Sequence, residues 1–453
     1  MNLPLRFDPG SVGAFRVTER VFDEATRVLT LRYRFDGGPE FEEAITFETT
    51  PTGGPETDGP GFERALLHLH IAAGTSYYKA AAPPVVVVEG EGLTPIESDF
   101  HHHLYDDGLR EFAVNNGLAV PRPVIIQPGY LHTRLPPPVA TDRPGGLLVP
   151  IGGGKDSMVL IAALTDLVPR LFAVNPHPRV LELARQTGLE LVVVRRRLSP
   201  NLAELNRSGA LNGHVPITAI VSLIAVVGSF LYGYDTIAMA VERSASEETV
   251  MVDGVPVNHQ YSKSAAFEGH LRELIAASID PKVRCGSALR PYSELAIARA
   301  FAHLTEFHAT FCSCNTIFRH GADAEDGWCG ECPKCRFVGL MLAPYLDRAA
   351  ITAIVGRDMF DDPAQIPGFA ALMSDEDKPF ECVGERRESA AAMRILSFRP
   401  EWKEAPVVEA LADRARSLVS DSEVSALLTP SSELAFPDPA IAGPVDRQLT
   451  ELR

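Results

Sequence analysis

From residue 146 onward, short apolar runs alternate with helical patterns, and this alternation limits the possible folds more than any other feature. The apolar runs are LLVPI, LFAVNP, LELVVVRRR and TIAMAVE, separated by stretches such as DSMVLIAALTDLV and PRVLELARQTG. Strands that are apolar along nearly their whole length are typical of a parallel sheet covered by helices on both faces. The sequence therefore predicts an α/β domain with a parallel sheet.

The alternation does not extend over the whole chain. Residues 13–49 instead alternate apolar and polar side chains around two turn-like segments, as antiparallel strands do. A Pro/Gly-rich stretch, Pro136–Gly146, is typical of a linker. We therefore predict a β-rich α+β N-terminal domain over residues 1–140, the parallel-sheet domain over 146–350, and a helix-rich C-terminal region over 351–453.

Charge and segment composition exclude some classes of protein. The 42 Lys and Arg residues against 59 Asp and Glu give a net charge of −17, which disfavours a broad nucleic-acid-binding surface. The most apolar segment, Val215–Tyr232, is close to the lower length limit of a membrane helix, but the strand pattern directly after it favours a buried helix. The N-terminus has no signal-peptide pattern, so we expect a cytoplasmic protein.

The segment LVPIGGGKDS, residues 148–157, joins a predicted strand to a predicted helix. Glycines allow an anion to approach the backbone closely, and the free N–H groups of a helix N-terminus favour phosphate. The segment fails the Walker A pattern because Asp156 separates Lys155 from Ser157, and it also fails the dinucleotide fingerprint. A phosphate-binding loop is the functional interpretation, and a strand–helix turn without a ligand is the alternative.

GGGKDS resembles the pyrophosphate-binding loop of the PP-loop ATP pyrophosphatases, whose usual pattern is Ser-Gly-Gly-x-Asp-Ser. The resemblance implies an adenine-nucleotide alpha-hydrolase-like fold and a reaction in which ATP is cleaved between its α and β phosphates. It implies that Asp156 lies near a magnesium ion and Ser157 on the pyrophosphate. The ATP-binding positions that it implies are Gly152, Gly153, Gly154, Lys155, Asp156 and Ser157. Gly152 departs from the pattern, because the family usually has serine there.

Five of the seven cysteines lie close together in the sequence. Cys329, Cys332 and Cys335 form a Cys-x2-Cys-x2-Cys segment, and Cys312 and Cys314 precede it. Short cysteine knuckles of this kind hold structural zinc, although an iron–sulfur cluster and free thiols remain alternatives. Cys314 or Cys312 is placed to supply a fourth ligand.

The cysteine segment also resembles the zinc site of the queuosine-precursor branch of the PP-loop enzymes. By that resemblance the zinc ligands are Cys314, Cys329, Cys332 and Cys335, and His320 is a weaker alternative to Cys314. Four protein ligands close the coordination shell, so the expected zinc ion is structural.

Further polar residues follow the predicted strands or stand near the apolar helix. Glu242 and Arg243 come after the run TIAMAVE, near the sheet edge where a substrate should lie, and Lys263 in NHQYSKS could balance an anionic substrate. A surface ion pair and a solvated loop are the respective alternatives. His214 could act as a base or a ligand, but a capping or core histidine is the favoured interpretation.

For the histidine run and for Cys382, a structural role is favoured over a functional one. The run His101–His103 could bind metal, but three adjacent side chains cannot all face one point, which favours a loop or surface position. Cys382 could be a proton-transfer thiol, and a buried cysteine is favoured instead.

The order of several short blocks resembles a bacterial cell-wall family, the UDP-N-acetylmuramoyl-L-alanyl-L-glutamate epimerases. The blocks are PIGGGKDS, ERSAS, NHQYSKS, WCGECPKCRFVGLMLAPYL and KPFECVGE. The resemblance implies an ATP-dependent isomerase of peptidoglycan precursor synthesis that adenylates the terminal L-glutamate and releases AMP, pyrophosphate and the D-glutamyl product. Its expected partner is the small nucleotide-sugar peptide substrate, with no nucleic acid and no membrane.

The hypothesis of an ATP-dependent epimerase also assigns roles to the residues named above. Lys155, Asp156 and Arg243 are the expected catalytic residues, and Glu242, Arg243 and Lys263 the expected substrate-binding residues. The proton-transfer base and the oligomeric state are left open. Two other functions remain: another PP-loop adenylating enzyme, acting on a queuosine precursor or on transfer RNA, or a zinc-stabilised nucleotide-binding protein without catalysis.

Overall fold

A computed structural model describes most of the chain. The described residues are 6–49, 57–90, 92–119, 124–126, 138–140, 145–247, 250–252, 254–316, 327–374, 379, 381, 383–434 and 436–451. The sequence predictions for His320 and Cys382, and most of the linker predicted at 136–146, lie outside these residues.

Ten strands form one sheet, and two more form a small hairpin. The strands are β1 (Ala14–Asp23), β2 (Val28–Phe35), β3 (Glu40–Phe47), β4 (Val85–Val88), β5 (Val124–Ile126), β6 (Leu147–Pro150), β7 (Arg170–Val174), β8 (Leu191–Arg197), β9 (Thr236–Met239), β10 (Val250–Val252), β11 (Val255–Val257) and β12 (Arg284–Ser287). The order in the large sheet is β12-β9-β6-β7-β8-β3-β2-β1-β4-β5.

The sheet is mostly parallel. Strands β12, β9, β6, β7 and β8 run in one direction, as the apolar runs predict. Strands β1, β2 and β3 pair antiparallel, as the alternating N-terminal pattern predicts. The mixed α/β class with a parallel sheet is confirmed.

The two sets of strands are joined within one sheet. Strand β3 pairs antiparallel with β8, with Ala44 opposite Arg197 and Phe47 opposite Val194. At this junction the buried Glu43 carboxylate accepts two hydrogen bonds from the Arg196 guanidinium, at 2.6 and 3.0 Å. The sheet thus runs across the division expected between residues 140 and 146, and the three-domain division stays a prediction.

Helices cover both faces of the sheet. They are α1 (Pro60–Ala73), α2 (Thr75–Tyr78), α3 (Pro95–Asp106), α4 (Arg110–Asn115), α5 (Lys155–Leu164), α6 (Pro178–Thr187), α7 (Asn201–Arg207), α8 (Ile217–Tyr232), α9 (Ala265–Leu274), α10 (Glu294–Ala302), α11 (Pro333–Leu342), α12 (Arg348–Val355), α13 (Ile366–Ala371), α14 (Arg386–Leu396), α15 (Pro406–Leu418), α16 (Asp421–Leu427) and α17 (Pro439–Thr450).

Short helical turns connect several of these elements. The 3-10 turns are Pro9–Ser11, Asp107–Leu109, Thr165–Leu167, Arg243–Ser246, Tyr261–Lys263, Thr305–Phe307, Pro363–Gln365 and Ser432–Leu434, and Ile275–Ile279 is a π-helical turn.

Alternate side chains of the strands enter two different cores. Leu147 and Val149 of β6 pack with helices α5, α10 and α11 on one face, and Leu148 packs with α1 and α8 on the other. This alternation follows from the two-residue period of a strand. Both faces are therefore buried, which explains why these strands are apolar along nearly their whole length.

The long apolar segment is the buried helix α8, as the sequence analysis favoured. Its side chains pack in the core that contains Leu148. Among the helices in the described part of the chain, none is both long and apolar enough to cross a membrane.

The three consecutive histidines contradict their prediction. They lie in helix α3, not in a loop, and His101 is fully buried. Its imidazole Nε2 lies 3.0 Å from Nδ1 of His68, whose Nε2 lies 3.1 Å from the Glu97 carboxylate. Helical geometry separates the three side chains, so that His101 is buried, His103 half-buried and His102 exposed.

Candidate active site

Three loops meet at the carboxyl edge of the parallel strands. One follows β6 and contains the glycines, one follows β9 and begins at Ala240, and one follows β12 and begins at Ala288. The Ser287 hydroxyl ties the last two together, because it accepts a hydrogen bond from the Val241 N–H at 2.8 Å. Open parallel sheets bind ligands at this edge.

The glycine loop has the geometry that its sequence requires. Gly153 has a φ of +86°, and a Cβ at this residue would lie 2.9 Å from Val180. Gly154 is the N-cap of helix α5. A Cβ at the exposed Gly152 would meet no atom within 4 Å. The space beside Gly152 and the N-terminus of α5 together form a place where an anion can approach free N–H groups.

Asp156 and Lys155 form an ion-paired group with a residue that the sequence analysis did not identify. The Lys155 ammonium contacts the carboxylates of both Asp156 and Glu294, and only 2% of the Lys155 side chain is exposed. Burial disfavours the ammonium, but the two carboxylates outweigh burial and raise the pKa of Lys155. The lysine is thus charged and held beneath the loop, where it fixes the Asp156 carboxylate.

Cations keep Asp156 ionised. Burial alone raises the pKa of this carboxyl, but the charge of Lys155, followed by those of Lys334 and Lys263, lowers it below the ordinary value. Lys334 lies in the first turn of α11, close to the cysteine segment. An ionised carboxylate is the type of oxygen ligand that Mg²⁺ prefers, and this one lies at the glycine loop.

Two buried carboxyl groups have raised pKa values: Glu294, within this ion-paired group, and Glu388, which lies beside it. Burial, with the charges of Asp156 and Glu242, raises the pKa of Glu294 to about 7. Glu388 of α14 accepts a hydrogen bond from the Glu294 N–H at 3.1 Å, and within the described residues its other carboxyl oxygen, Oε2, has no hydrogen-bond partner. Burial, and then neighbouring carboxylates, raise the pKa of Glu388 well above its ordinary value.

We expect the raised pKa of Glu388 to make stability fall as the pH rises above about 4.5, the ordinary carboxyl pKa. The native state binds the proton more tightly than the unfolded state, so deprotonation favours unfolding, by about 1.4 kcal/mol for each unit of pKa difference. Glu388→Gln keeps the size of the side chain and is neutral at every pH, so stability should fall less steeply with pH in this variant. The unfolding temperature, measured between pH 5 and 8 without ATP or magnesium, shows the difference. The exposed Glu409→Gln is the control, and equal slopes in Glu388→Gln and wild type would contradict the prediction.

The predicted substrate residues are distributed over this edge. Glu242 is buried, and its backbone carbonyl accepts a hydrogen bond from Arg290 at 2.8 Å. The Arg243 guanidinium donates to the carbonyl oxygens of Leu427 and Thr429, at 3.1 and 3.3 Å. Arg243 therefore contacts the C-terminal helical region, and its expected catalytic and substrate-binding roles stay predictions.

Lys263 lies in the 3-10 turn Tyr261–Lys263, and its ammonium is 3.5 Å from Oε1 of Gln260. Its charge contributes to the lowered pKa of Asp156. Its role toward a substrate also stays a prediction.

The four expected cysteine ligands come together. The sulfur atoms of Cys314, Cys329, Cys332 and Cys335 all lie within 4.8 Å of one another. Three of the sulfur–sulfur distances are 3.4, 3.7 and 4.0 Å. Tetrahedral zinc with bonds of about 2.3 Å places its sulfur ligands about 3.8 Å apart. The arrangement fits zinc and favours Cys314 over Cys312 as the fourth ligand.

The segment before the cysteine cluster contacts the glycine loop directly. The Cys312 N–H donates to the Gly153 carbonyl at 3.0 Å, and a Cβ at Gly154 would lie 2.7 Å from the Ser313 hydroxyl. Cys314, two residues after Cys312, belongs to the cluster. The cluster therefore holds the segment against which the loop packs.

His214 contradicts its prediction as a capping or core histidine. It lies before α8, whose N-cap is Pro216, and its Nδ1 is 3.8 Å from Oε2 of Glu111. The same carboxylate oxygen is 2.5 Å from Nδ1 of His259. His259 lies in the NHQYSKS block, where nothing in the sequence distinguishes it from its polar neighbours, and Glu111 carries no signal in the sequence.

The sequence matches two protein-family domains and is similar to several epimerases over most of its length. Residues 6–287 match a family described as the MurL N-terminal domain, and residues 310–426 match one described as the MurL C-terminal domain. Two similar proteins are both named UDP-N-acetyl-alpha-D-muramoyl-L-alanyl-L-glutamate epimerase. One, from Salinispora tropica, is 41% identical over 429 residues, covering 92% of each chain. The other, from Xanthomonas oryzae pv. oryzae, is 39% identical over 416 residues, covering 89% of this chain and 90% of the relative. No solved structure matches.

Proposed function

Because this chain belongs to the family of UDP-N-acetyl-alpha-D-muramoyl-L-alanyl-L-glutamate epimerases, we propose that it inverts the α-carbon of the terminal glutamate in that nucleotide-sugar peptide. The observation that carries the proposal is the identity of about 40% to proteins of that name over most of the chain. We place the reaction in the cytoplasm, where ATP and reduced thiols are both present.

The reaction requires activation of the glutamate. Its α-proton lies beside a carboxylate, and removing it would place further negative charge on an anion. In the proposed route the carboxylate oxygen attacks the α-phosphorus of ATP, and pyrophosphate leaves. The resulting acyl-adenylate is neutral at the acyl carbon and withdraws electrons, so a base can take the α-proton. A proton then returns on the other face, and water cleaves the acyl–phosphate bond to give the D-glutamyl carboxylate and AMP.

The glycine loop is the proposed site of ATP, and we propose that the domain is of the PP-loop type. Gly152, Gly153 and Gly154 would hold the pyrophosphate part through backbone N–H groups at the start of α5, and Ser157 lies within the same turn. The support is the position of the loop at the carboxyl edge of β6, together with the space beside Gly152.

Asp156 would hold a magnesium ion. Its carboxylate is ionised and lies at the loop, which fits the oxygen ligands that magnesium prefers. A bound magnesium ion supplies positive charge that stabilises the leaving pyrophosphate. Lys155, itself held by Glu294, would orient Asp156, and the charges of Lys334 and Lys263 also act on Asp156.

The cysteine cluster would hold a structural zinc ion. The four sulfur atoms fit its tetrahedral coordination and leave no position for a substrate. The ion would hold the Cys312–Cys314 segment in place, and through it the glycine loop.

The test is to incubate the purified protein with ATP, magnesium and UDP-N-acetylmuramoyl-L-alanyl-L-glutamate in heavy water. We expect AMP, D-glutamate in the hydrolysed product, and deuterium at the α-carbon, because the proton must exchange through a base. D-glutamate without AMP would refute the adenylation route. AMP with another carboxylate, and none with this peptide, would refute the substrate.

A further inference from the structure

The side chains of Glu111, His214 and His259 form a cluster remote in sequence from the cysteines. Their ligand atoms all lie within 4.8 Å of one another. Glu111 belongs to α4, His214 to the loop before α8, and His259 to the loop after β11. The proposed epimerase reaction assigns no role to this cluster.

One carboxylate oxygen faces both imidazole rings. Oε2 of Glu111 lies 2.5 Å from Nδ1 of His259 and 3.8 Å from Nδ1 of His214, and the two ring centroids are 4.5 Å apart. The other oxygen, Oε1, accepts a hydrogen bond from the Asn115 amide at 3.2 Å. The amide thus turns Oε2 toward the rings, as the hydrogen-bond partners of metal ligands commonly do.

The backbone around both histidines is held in place. The side-chain amide of Asn116, the residue that follows α4, donates to the Asn212 carbonyl at 3.0 Å. This hydrogen bond ties the His214 loop to the helix that carries Glu111. The Gln260 N–H donates to the Asn258 side chain at 2.7 Å, which closes the turn that contains His259. The three side chains therefore meet because the fold places them together.

The donor set and its exposure resemble those of an open metal site. Two histidines and one glutamate leave a fourth position for water or substrate when they bind zinc. The Glu111 and His259 side chains are 8% and 11% exposed, and His214 is 24% exposed, so solvent reaches the group from the side of His214.

The distances allow an ion after small movements. Ligand atoms of tetrahedral zinc with bonds of about 2.1 Å lie about 3.4 Å apart. To reach that spacing, the Glu111–His259 distance of 2.5 Å would open by about 0.9 Å, and the Glu111–His214 distance of 3.8 Å would close by about 0.4 Å.

We propose that Glu111, His214 and His259 bind a second divalent transition-metal ion, of which zinc best suits the donor set, separate from the ion expected at the cysteines. The carboxylate supplies one negative charge, and the histidines bind as neutral imidazoles. Because the protein supplies only these three donors from the described residues, one coordination position stays open. Lys79 lies nearby, but its ammonium contacts the Asn212 side chain and the Gly213 carbonyl, at 2.6 and 3.0 Å.

The test counts metal ions and reads their ligands. Protein purified from cobalt-supplemented cells should contain two Co²⁺ ions per chain by elemental analysis. The ion at the cysteines gives a thiolate-to-cobalt charge-transfer band, whereas nitrogen and oxygen ligands give none. We expect His214→Ala and Glu111→Gln each to lose about one Co²⁺ ion per chain and to keep the thiolate band in full. His102→Ala, which changes an exposed histidine outside the cluster, should keep both ions.

The outcomes separate this proposal from the cysteine site and from misfolding. Glu111→Gln keeps the size of the side chain and its contact with Asn115, and circular dichroism shows whether each variant is folded. Wild-type protein with thiolate-ligated cobalt alone would overturn the proposal. So would a cobalt content that is unchanged in both folded variants. Failure of the epimerase reaction would leave these readouts unaffected.

Discussion

Asp156→Asn is expected to lower AMP release and glutamate epimerisation by at least about 10²-fold, the range found when one electrostatic contact to developing charge is lost. The substitution keeps the shape of the side chain and removes the charge that would hold magnesium. It leaves Lys155 paired with Glu294, so the group beneath the loop keeps one ion pair. Initial rates of pyrophosphate and D-glutamate formation, at saturating ATP, measure the effect.

The control for this experiment is Asp166→Asn. Asp166 is exposed and lies in the 3-10 turn that follows α5. Removing its charge should therefore change neither the rates of pyrophosphate and D-glutamate formation nor the unfolding temperature. An Asp156→Asn protein that is folded and releases pyrophosphate at the wild-type rate would show that the loop is not the adenylation site. Parallel loss of both rates, in a protein with an unchanged unfolding temperature, is the expected result.

Cys332→Ser is expected to remove the zinc ion at the cysteines and to destabilise the protein by several kcal/mol. Structural zinc contributes about 10–16 kcal/mol in small zinc-binding peptides, and loss of one ligand forfeits part of that binding. Metal analysis and thermal unfolding measure the two effects. We also expect weaker ATP binding, because the Cys312 N–H contacts the Gly153 carbonyl and Cys314 belongs to the cluster.

Cys312→Ala is the matched variant for the cysteine site. It removes a buried sulfur near the cluster but spares the four proposed ligands, so the zinc content should stay at the wild-type level. Loss of zinc from Cys312→Ala and its retention in Cys314→Ala would reverse the assignment of the fourth ligand. Retention of zinc in Cys332→Ser would contradict the cluster as a whole.

Features encoded in short segments could be predicted from the sequence. The apolar runs that become β6, β7, β8 and β9 identify parallel strands because both faces of each are buried. The glycine loop is a contiguous segment, and its position between a strand and a helix follows from the pattern. Three of the four cysteines have zinc-knuckle spacing, so their convergence needed no knowledge of the rest of the chain.

Contacts between distant segments could not be predicted in this way. Glu294 of α10 contacts Lys155, and Glu388 of α14 contacts the Glu294 N–H. Nothing in their local sequence distinguishes these two residues from surface glutamates. Glu111 and His259 are far apart in the chain, so their pairing depends on tertiary structure. Arg243 follows its strand as expected, but its guanidinium donates hydrogen bonds to backbone carbonyls of the C-terminal helical region.

The pairing of β3 with β8 bears on how the chain folds during synthesis. Strands β1, β2 and β3 are synthesised early and can pair into an antiparallel sheet at once. The second partner of β3 is β8, which begins only at Leu191. Until then β3 is an edge strand with unpaired backbone groups, the type of edge on which nascent chains associate wrongly. Glu40 and Glu42, which point away from the core on that strand, add charge to the edge during this interval. The nascent chain would therefore depend most on a chaperone before the ribosome has synthesised residue 191.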